Sequence, residues 1–388
     1  MSADRPIVIA MVLRERGATG VQSHVGVFRR FLHEQGSAVR VVTPFQNPRW
    51  LVVPVVAIRR LVETVSPSFG VAWYRRGHAF LLRRSLRRVL GELGPAVIYA
   101  QCPVSAEAAL SVRVSGALPV VMAAHFNVSQ ADEWAGKGRI REGGRAFRAI
   151  RAHEVRVLPQ LDGIVHVSED VRRHVEELVP AVRGIPAVVV PNFVYPAPAA
   201  EGEVGTAVAP SGLVSVGSLE PRKNQGYLLD ILIELARLGL RPHLTLLGDG
   251  QDRHRLQARV RELSLGDQVT LPGVQPGAAA HLAGFRVYCH AARMESFGMA
   301  VLEAMAAGLP VVAAPVGGIP EVFRDGIEGR YWPLDNAAAA ARILAGMLAD
   351  ETALATMSQA ARIRFTATFD ARICAPRLAD FLGERGQA

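Results

Sequence analysis

The chain has 388 residues, half of them hydrophobic, which is enough for two domains with large cores and excludes extended disorder. Its longest apolar runs are far shorter than the roughly 20 residues of a membrane-spanning helix, and it lacks a cationic signal-peptide start, so we expect a cytoplasmic protein. The net charge of +9 is uneven: residues 1–190 carry +11 and residues 191–388 carry −2, which makes the first half the expected partner-facing surface.

A strand, a loop, a helix and a second strand open the chain. Residues 7–13 form an apolar strand, residues 17–20 a glycine-containing loop, and residues 21–35 show helical spacing up to Gly36. Residues 39–43 form the next strand. This order predicts the start of a doubly wound parallel sheet. Further strands are predicted at residues 97–100, 120–123, 163–167 and 187–190.

The same alternation begins again after residues 191–211, whose Pro, Ala and Gly content indicates a linker. Residues 213–216 form a strand, residues 217–224 a polar loop, and residues 225–238 an amphipathic helix. Later strands are predicted at residues 243–247, 269–271, 287–290 and 311–313.

The sequence therefore predicts two α/β domains of similar size. The first covers residues 1–192, and the second covers residues 193–370. A last helix at about residues 371–388 is expected to pack back on the first domain. Ligands of open parallel sheets bind outside the carboxyl ends of the strands, so two such domains facing each other would form a ligand-binding cleft.

Two glutamates lie in the most informative segment, residues 293–321. Glu295 and Glu303 are eight residues apart, which is about 12 Å along a helix. Carboxylates accept hydrogen bonds from vicinal hydroxyls, so this pair can bracket a diphosphate and bind a sugar and a ribose. Solvated surface acids are the alternative. Glu303 lies in an otherwise apolar helix, where an unpaired carboxylate is costly, and this favours the functional interpretation.

The helix that carries Glu303 is expected to begin near residues 297 and 298 and to stop at Gly308. Its first free backbone amides would belong to Phe297, Gly298 and Met299. A helix N-terminus with small residues binds anions, because its amides and its dipole both favour negative charge. These amides are therefore a candidate diphosphate site.

The sequence resembles a known family at this point: the retaining glycosyltransferases of family 4, which have the GT-B fold of two Rossmann-like domains. The resemblance covers essentially the whole chain and is densest over residues 214–332. Glu295 and Glu303 match the Glu-x7-Glu motif of the family, and the run through Glu321 keeps its Gly-Gly-x-x-Glu ending.

Further motifs of the second half match the donor side of this family. Gly248 lies in a Leu-Leu-Gly-Asp-Gly stretch that matches the donor-side glycine turn, and Val274 lies in a loop that resembles the one meeting the base. Residues 217–224 resemble the family's phosphate-binding loop, which implies that Lys223 holds the donor phosphates. A fixed cation there would stabilise the leaving diphosphate. Ser218 stands where the family usually has a second arginine, and Arg222 is the candidate replacement.

The first half carries a partial match. Gly20 and the residues after it resemble the family's Gly-Gly start, with Thr19 in place of the first glycine, and Gly20 would let the backbone approach the donor or the acceptor. His24 is expected on the surface of the first helix. His125 follows an apolar strand at its carboxyl end, where the family places a histidine beside the reacting sugar.

The resemblance implies transfer of a hexose or N-acetylhexosamine from a nucleotide sugar, UDP- more than GDP-, with retention through front-face attack. Lys223, Glu295 and His125 are the expected catalytic residues. No cofactor is required. The sequence has no Asp-x-Asp triplet and no cluster with ligand spacing, so no metal is expected. Three widely separated cysteines are interpreted as buried thiols.

Basic residues mixed with apolar ones occupy residues 50–65, 73–90 and 137–156. This mixture suits an anionic membrane surface or a lipid-phosphate acceptor, and solvated helix faces are the alternative. No nucleic-acid-binding motif accompanies the charge, so no nucleic acid is expected. The expected partners are a nucleotide-sugar donor and a glycan or lipid-linked acceptor, with peripheral contact to the inner membrane face left open.

Two other functions fit this architecture. A sugar-nucleotide isomerase or epimerase would consume the donor without an acceptor. A non-catalytic nucleotide-sugar-binding protein would bind the donor without turnover, but the presence of Glu295, Glu303 and Lys223 argues against it.

Overall fold

A computed structural model of the protein describes residues 5–17, 19–113, 118–196, 212–275 and 282–387. The chain divides into two compact units: Met1–Phe193 together with Ala371–Ala388, and Val194–Asp370. Most of the predicted linker, residues 197–211, lies outside the described residues.

Each unit contains one sheet, with six parallel strands among the described residues, and this confirms the predicted α/β class with two doubly wound sheets. The strands of the first sheet are β1 Ile7–Ala10, β2 Val39–Val42, β3 Val97–Ala100, β4 Val120–Ala124, β5 Gly163–His166 and β6 Ala187–Val189. The strands of the second sheet are β7 Leu213–Val216, β8 Leu244–Leu247, β9 Val269–Gly273, β10 Val287–His290, β11 Val311–Ala313 and β12 Gly329–Tyr331.

Helices cover the faces of both sheets. Those of the first unit are α1 Gly20–Glu34, α2 Arg49–Val65, α3 Pro67–Leu93, α4 Pro103–Leu110, α5 Gln130–Gly136, α6 Arg145–Val157, α7 Glu169–Leu178 and the last helix, α14 Ala371–Gln387. Those of the second are α8 Gln225–Arg237, α9 Arg253–Glu262, α10 Met299–Ala306, α11 Ile319–Val322, α12 Ala337–Ala349 and α13 Glu351–Thr368.

The central strands are buried along their whole length, as their continuous Val, Ile and Ala content requires of a parallel sheet covered on both faces. The last helix, α14, packs on α1 and β3 within the first unit. Cys102, Cys289 and Cys374 are buried thiols, as the sequence predicts. In the described part of the chain, no helix is both long and apolar enough to cross a bilayer.

The strand orders locate the switch point of each sheet. The first sheet runs β2-β1-β3-β4-β5-β6, and the second runs β12-β11-β10-β7-β8-β9. The chain changes its direction of travel between β1 and β3 in the first sheet and between β7 and β10 in the second. Crevices outside the carboxyl ends of the strands form at such switch points. Residues that follow these four strands are therefore candidates for a ligand-binding site.

Two glycine-containing loops of the second unit pack tightly at this edge. A Cβ on Gly248, whose φ is +140°, would lie 2.0 Å from the carbonyl oxygen of Gly217. The Leu219 amide donates a hydrogen bond to the Asp249 carbonyl at 3.0 Å. The loops that follow β7 and β8 therefore hold each other in place, and Gly248 is required for their close approach.

We expect Gly248→Ala to lower the free energy of unfolding by about 3 kcal/mol, because the new methyl group would collide with the Gly217 carbonyl. Urea denaturation of the purified variant measures this change. Gly346→Ala is the matched control: nothing lies within 4 Å of the added methyl group in α12, so we expect a gain of about 0.5–1 kcal/mol there. A Gly248→Ala protein as stable as wild type would contradict the packing argument.

Candidate active site

A buried ion pair joins the two loops at the switch point of the second sheet. Lys223 closes a short 3-10 turn after β7, and Glu295 lies in the loop that follows β10. The ammonium of Lys223 contacts Oε2 of Glu295, although 72 residues separate them. Both side chains are largely buried. Two residues that the sequence assigns to one site are thus brought together.

His290, the last residue of β10, also lies against this carboxylate. Its Nε2 is 3.2 Å from Oε2 of Glu295, and its Nδ1 is 3.4 Å from the hydroxyl of Tyr288. The Tyr288 hydroxyl in turn donates to the carbonyl of Val216 at 3.2 Å. The Trp332 indole donates to the His290 carbonyl. A chain of buried polar groups therefore runs from the end of β7 through β10 to the Glu295 carboxylate.

The surroundings keep Glu295 ionised. Burial alone would raise the pKa of Glu295, but the charge of Lys223 and the interaction with His290 outweigh burial and hold this pKa well below its usual range. Burial lowers the pKa of His290, and the nearby cations add to this effect. The site therefore contains a carboxylate that is negative at physiological pH beside an imidazole that is neutral.

Glu303 is in the opposite electrostatic situation. It projects from α10, and among the described residues its carboxyl makes no hydrogen bond or ion pair. Burial raises the pKa of Glu303 to about 7. A half-buried carboxyl without a partner is costly, so a ligand with hydroxyl groups would offset a free-energy penalty that the empty site carries.

The helix that carries Glu303 begins later than the sequence predicts. Its first residue is Met299, with Gly298 as its N-cap at a φ of +93°. The free amides of its first turn therefore belong to residues 299–301, and the prediction that started the helix near Phe297 and Gly298 was wrong for both residues. The side chain of Phe297 is 1% exposed and packs edge-on against Phe369. Gly298 is needed because L side chains rarely adopt its backbone conformation.

The double glycine of the Gly-Gly-x-x-Glu ending supports the same loop. A Cβ on Gly318 would lie 2.3 Å from the carbonyl oxygen of Ser296, and the Gly318 amide donates to the Glu295 carbonyl at 3.2 Å. The backbone of Glu295 and Ser296 therefore packs against a neighbour that tolerates no side chain.

Arg222 and Ser218 precede Lys223 in the same loop but have different environments. Arg222 is 2.5 Å from the carboxylate of Glu220, and its carbonyl accepts from the Arg293 amide at 2.8 Å. Ser218 is exposed, and its carbonyl accepts from the Gln225 side chain. The backbone of Arg222 thus connects the two loops of the site, while its guanidinium is engaged by an acid of its own turn.

Gly248 and Val274 lie at the neighbouring strand ends. The amide of Gly248 donates to the Gly273 carbonyl at 2.9 Å, which joins the loops after β8 and β9. Val274 is 55% exposed, just beyond the end of β9. Both residues are at the carboxyl edge of the second sheet, where the sequence predicts them.

In the first unit, His125 directly follows β4 and contacts Gln101, which directly follows β3. Nε2 of His125 is 3.0 Å from Oε1 of Gln101. Burial lowers the pKa of His125 to about 4, so the ring is neutral at physiological pH. The predicted position of His125 at the carboxyl end of its strand is confirmed.

His24 is buried, so the prediction that it lies on the surface was wrong. It is on the face of α1 that packs against the sheet, one turn before Phe28. Its Nε2 is 3.1 Å from the hydroxyl of Tyr99, and its ring centroid is 4.9 Å from that of His125. Burial, followed by His125, lowers the pKa of His24 well below its usual value. The two histidines form a neutral pair, of which His24 is buried and His125 partly buried.

Gly20 is the first residue of α1 instead of part of the loop, which corrects the predicted start at residue 21. Thr19 is the N-cap: its side chain accepts from the Gln22 amide, and the Gln22 side chain accepts from the Thr19 amide. Gln22 also donates to the carbonyls of Arg14 and Arg16. The Thr19 that replaces a family glycine therefore starts the helix and fastens the loop after β1.

Sequence reasoning missed His290 and Gln101. The available signal was position, because each is a polar residue at or just after the carboxyl end of a fully buried strand. His125 was recognised by that same signal. Applied to every strand beside the two switch points, it would have identified all three.

Comparison with known proteins covers both units. The family model described as Glycosyltransferase Family 4 matches residues 18–197. The family model described as Glycosyl transferases group 1 matches residues 184–364. The two matches together extend over most of the chain.

Among curated proteins, phosphatidyl-myo-inositol mannosyltransferase of Mycolicibacterium smegmatis is 27% identical over 346 residues, which is 86% of this chain and 82% of that protein. The GDP-mannose-dependent alpha-(1-6)-phosphatidylinositol monomannoside mannosyltransferase of the same species is 31% identical over 185 residues, 45% of this chain and 48% of that protein. The alignments with three curated relatives span only 30% to 48% of the length of those relatives. The GDP-mannose-dependent mannosyltransferase is one of the three.

Among solved structures, Alr3699/HepE of Anabaena in complex with UDP and glucose superposes with a TM-score of 0.68. The two chains are 18% identical, and the superposition covers 98% of this chain and 100% of that one. This likeness is one of fold.

We expect Glu303→Gln to raise the free energy of unfolding by about 3 kcal/mol at pH 8.5 and by less than about 1 kcal/mol at pH 5. The folded pKa of Glu303, about 7, is above that of an unfolded glutamate, so its ionisation costs stability as the pH rises through this range and costs little below it. Urea denaturation across pH measures the difference. Glu262→Gln, at an exposed position at the end of α9, is the control and should show no pH-dependent gain. A difference in the free energy of unfolding that is the same at all pH values would contradict a raised pKa for Glu303.

Proposed function

This chain belongs to glycosyltransferase family 4 and has the GT-B fold, and from that premise we propose that it transfers a sugar from a nucleotide-sugar donor to a glycan or lipid-linked acceptor, with retention of anomeric configuration. The observation that carries the proposal is the meeting of Lys223 and Glu295 at the switch point of the second sheet. A cation and a carboxylate lie together there, and helix α10 begins four residues after Glu295. This set of groups suits a diphosphate attached to a sugar.

The donor has to compete for Lys223. The ammonium is paired with Glu295 in the described state, and a diphosphate offers it a higher charge. When Lys223 turns to the phosphates, Glu295 becomes available to accept from sugar hydroxyls, with His290 still beside it. The amides of residues 299–301 would bind a phosphate at the start of α10. Glu303, further along this helix, would accept from the ribose hydroxyls.

In the proposed reaction, an acceptor hydroxyl oxygen bonds to the anomeric carbon while the bond from that carbon to the leaving phosphate oxygen breaks. The hydroxyl proton passes to the departing phosphate on the same face of the sugar. Lys223 and the α10 amides stabilise the negative charge that develops on the diphosphate. His125 is neutral and would hydrogen-bond the sugar. No cofactor or metal has a role in this proposal.

UDP-sugars are the proposed donors, with GDP-sugars as the alternative. The solved structure of the Anabaena protein holds UDP and glucose, which supports the first. The 31% identical mycobacterial relative is GDP-mannose-dependent, which supports the second. The transferred sugar is a hexose or N-acetylhexosamine in either case.

For the acceptor side, we propose that the first unit docks on an anionic membrane surface through α2 and α3. Helix α2 has no fully buried residue, and its outward face is apolar: Trp50 is 70% exposed and Leu61 is 69% exposed. Its inward face packs on α3, where the Trp73 indole donates to the Val55 carbonyl. An apolar row this exposed is costly in water unless something covers it.

The charges around this row favour anionic lipid as the covering partner. Phe69 and Phe80 are exposed on α3, and exposed arginines accompany the apolar positions of both helices. These arginines are Arg49, Arg60, Arg76, Arg84, Arg87 and Arg88. Aromatic rings that enter the headgroup region beside guanidinium groups that bind lipid phosphates give peripheral attachment. A lipid-linked acceptor would then be presented at the same surface.

Loss of either proposed donor contact should weaken donor binding by at least tenfold, about 1.4 kcal/mol. We expect wild type to be stabilised by about 2.7 kcal/mol at a UDP-sugar concentration of 100 times the dissociation constant, as thermal shift measures. Lys223→Ala and Glu303→Ala should each retain no more than about half of this stabilisation at the same donor concentration, while their circular dichroism stays native. Lys137→Ala, at the other lysine of the chain, is the control and should behave like wild type. Wild-type shifts in both site variants would disprove the donor site.

Retention predicts that the product has the anomeric configuration of the donor. Proton NMR of the first product formed, read from the anomeric coupling constant before any secondary reaction, measures this outcome. Inverted configuration would overturn the front-face mechanism and leave the donor site standing. Consumption of donor without an acceptor would instead favour the isomerase alternative.

Membrane docking predicts cosedimentation with vesicles that contain phosphatidylglycerol and much weaker cosedimentation with pure phosphatidylcholine. We expect Leu61→Ser to reduce binding to the anionic vesicles about tenfold, because it removes an exposed apolar side chain from the outward face of α2. Ile363→Ser is matched in chemistry and exposure, at 61%, but lies in the second unit and should bind like wild type. Equal loss in both variants, or concentration-dependent dimerisation without vesicle binding, would contradict lipid as the partner.

A further inference from the structure

Gln101 contacts His125 in the first unit. The proposed reaction assigns no role to this glutamine. The glutamine is 3% exposed, and its backbone amide donates to the Ala10 carbonyl and to the Ser105 hydroxyl, each at 3.0 Å. The residue is thereby fixed between β1 and the start of α4. Its side chain has only a few orientations available, and the described one ends at His125.

The amide orientation of Gln101 follows from its second partner. Nε2 of Gln101 donates to the carbonyl oxygen of Tyr99 at 3.3 Å. The flipped amide would place two oxygens at that distance, with no hydrogen between them, and so would lose one bond and add a repulsion. The side-chain oxygen is therefore the atom that faces His125.

The orientation of the amide decides the state of the imidazole. An amide oxygen only accepts hydrogen bonds, so the facing Nε2 of His125 has to carry a hydrogen. A neutral imidazole carries one hydrogen, which leaves Nδ1 as its acceptor. The ring of His24 lies against His125 at 4.9 Å between centroids and is itself occupied by Tyr99 through Nε2.

We propose that Gln101 is a positioning residue that holds His125 in its Nε2–H tautomer and so presents Nδ1 as an acceptor for a hydroxyl of the reacting sugar. The role toward the sugar rests on the proposed transferase function. The tautomer does not, because it follows from the contacts of Gln101 alone. Without this glutamine, the ring would be free to turn and to exchange its hydrogen between its two nitrogens.

Selective 15N labelling of histidine in the full chain tests the tautomer directly. We expect a two-bond 1H–15N correlation spectrum in which His125, assigned by its loss in His125→Gln, is neutral at pH 7 with the hydrogen on Nε2. Gln101→Leu removes the acceptor and should give the averaged shifts of mixed tautomers, with an Nε2–H that exchanges faster with water. Gln101→Glu keeps an oxygen facing Nε2 of His125, and its buried carboxyl, when protonated, can donate its O–H to the Tyr99 carbonyl as the amide did, so it should restore the Nε2–H signature.

Turnover adds a second measurement. For Gln101→Leu we expect kcat to fall about tenfold with the donor KM within about twofold of wild type, and we expect partial recovery in Gln101→Glu. A purely structural role would lower stability without changing the tautomer and would not be rescued by glutamate.

Two results would overturn the proposal: a wild-type His125 protonated on Nδ1 or on both nitrogens, or a Gln101→Leu protein with the wild-type spectrum and kcat. The expected spectra without turnover on any donor would contradict the transferase function instead, and would still support the control of the ring by Gln101.

Discussion

The buried pair of Lys223 and Glu295 is the interaction on which the site of the second unit depends. It ties together the loops that leave β7 and β10, where the chain changes its direction across the sheet. Removing one partner of a buried pair typically costs about 3–5 kcal/mol, because the other charge is left uncompensated. A ligand that attracts Lys223 must therefore leave Glu295 with other partners, and His290 is already in place as one of them.

The two glutamates of the motif occupy contrasting environments within one short segment. Glu295 is surrounded by cationic and imidazole groups and stays ionised, whereas Glu303 is half-buried, has no partner among the described residues and has a pKa raised to about 7. The free-energy cost of burying the Glu303 carboxyl would be offset by a ligand that hydrogen-bonds to it. This penalty supports the proposed ligand-binding role of Glu303, since a solvated surface glutamate would carry no such penalty.

Both sheets orient a candidate site residue in a similar way. His290 at the end of β10 lies against the Glu295 carboxylate, and Gln101 after β3 lies against the His125 imidazole. Each of these buried polar side chains is itself held by a second partner. His290 contacts the Tyr288 hydroxyl, and Gln101 donates to the Tyr99 carbonyl. Strand ends in a parallel sheet are rigid and close together, so they suit groups that must be held in one orientation.

The sequence by itself determined the α/β class, most strand positions and the carboxyl-edge location of Lys223, Glu295 and His125, because apolar runs, glycines and motif spacing are local features. The tertiary structure alone decided that Lys223 and Glu295 form a pair, since 72 residues of chain separate them. It also decided that His24 is buried and that α10 starts after Phe297, because packing and capping select the face and the first turn of a helix. Hydrogen-bond partners such as Gln101 for His125 depend on which strands become neighbours, and that order is a property of the folded sheet.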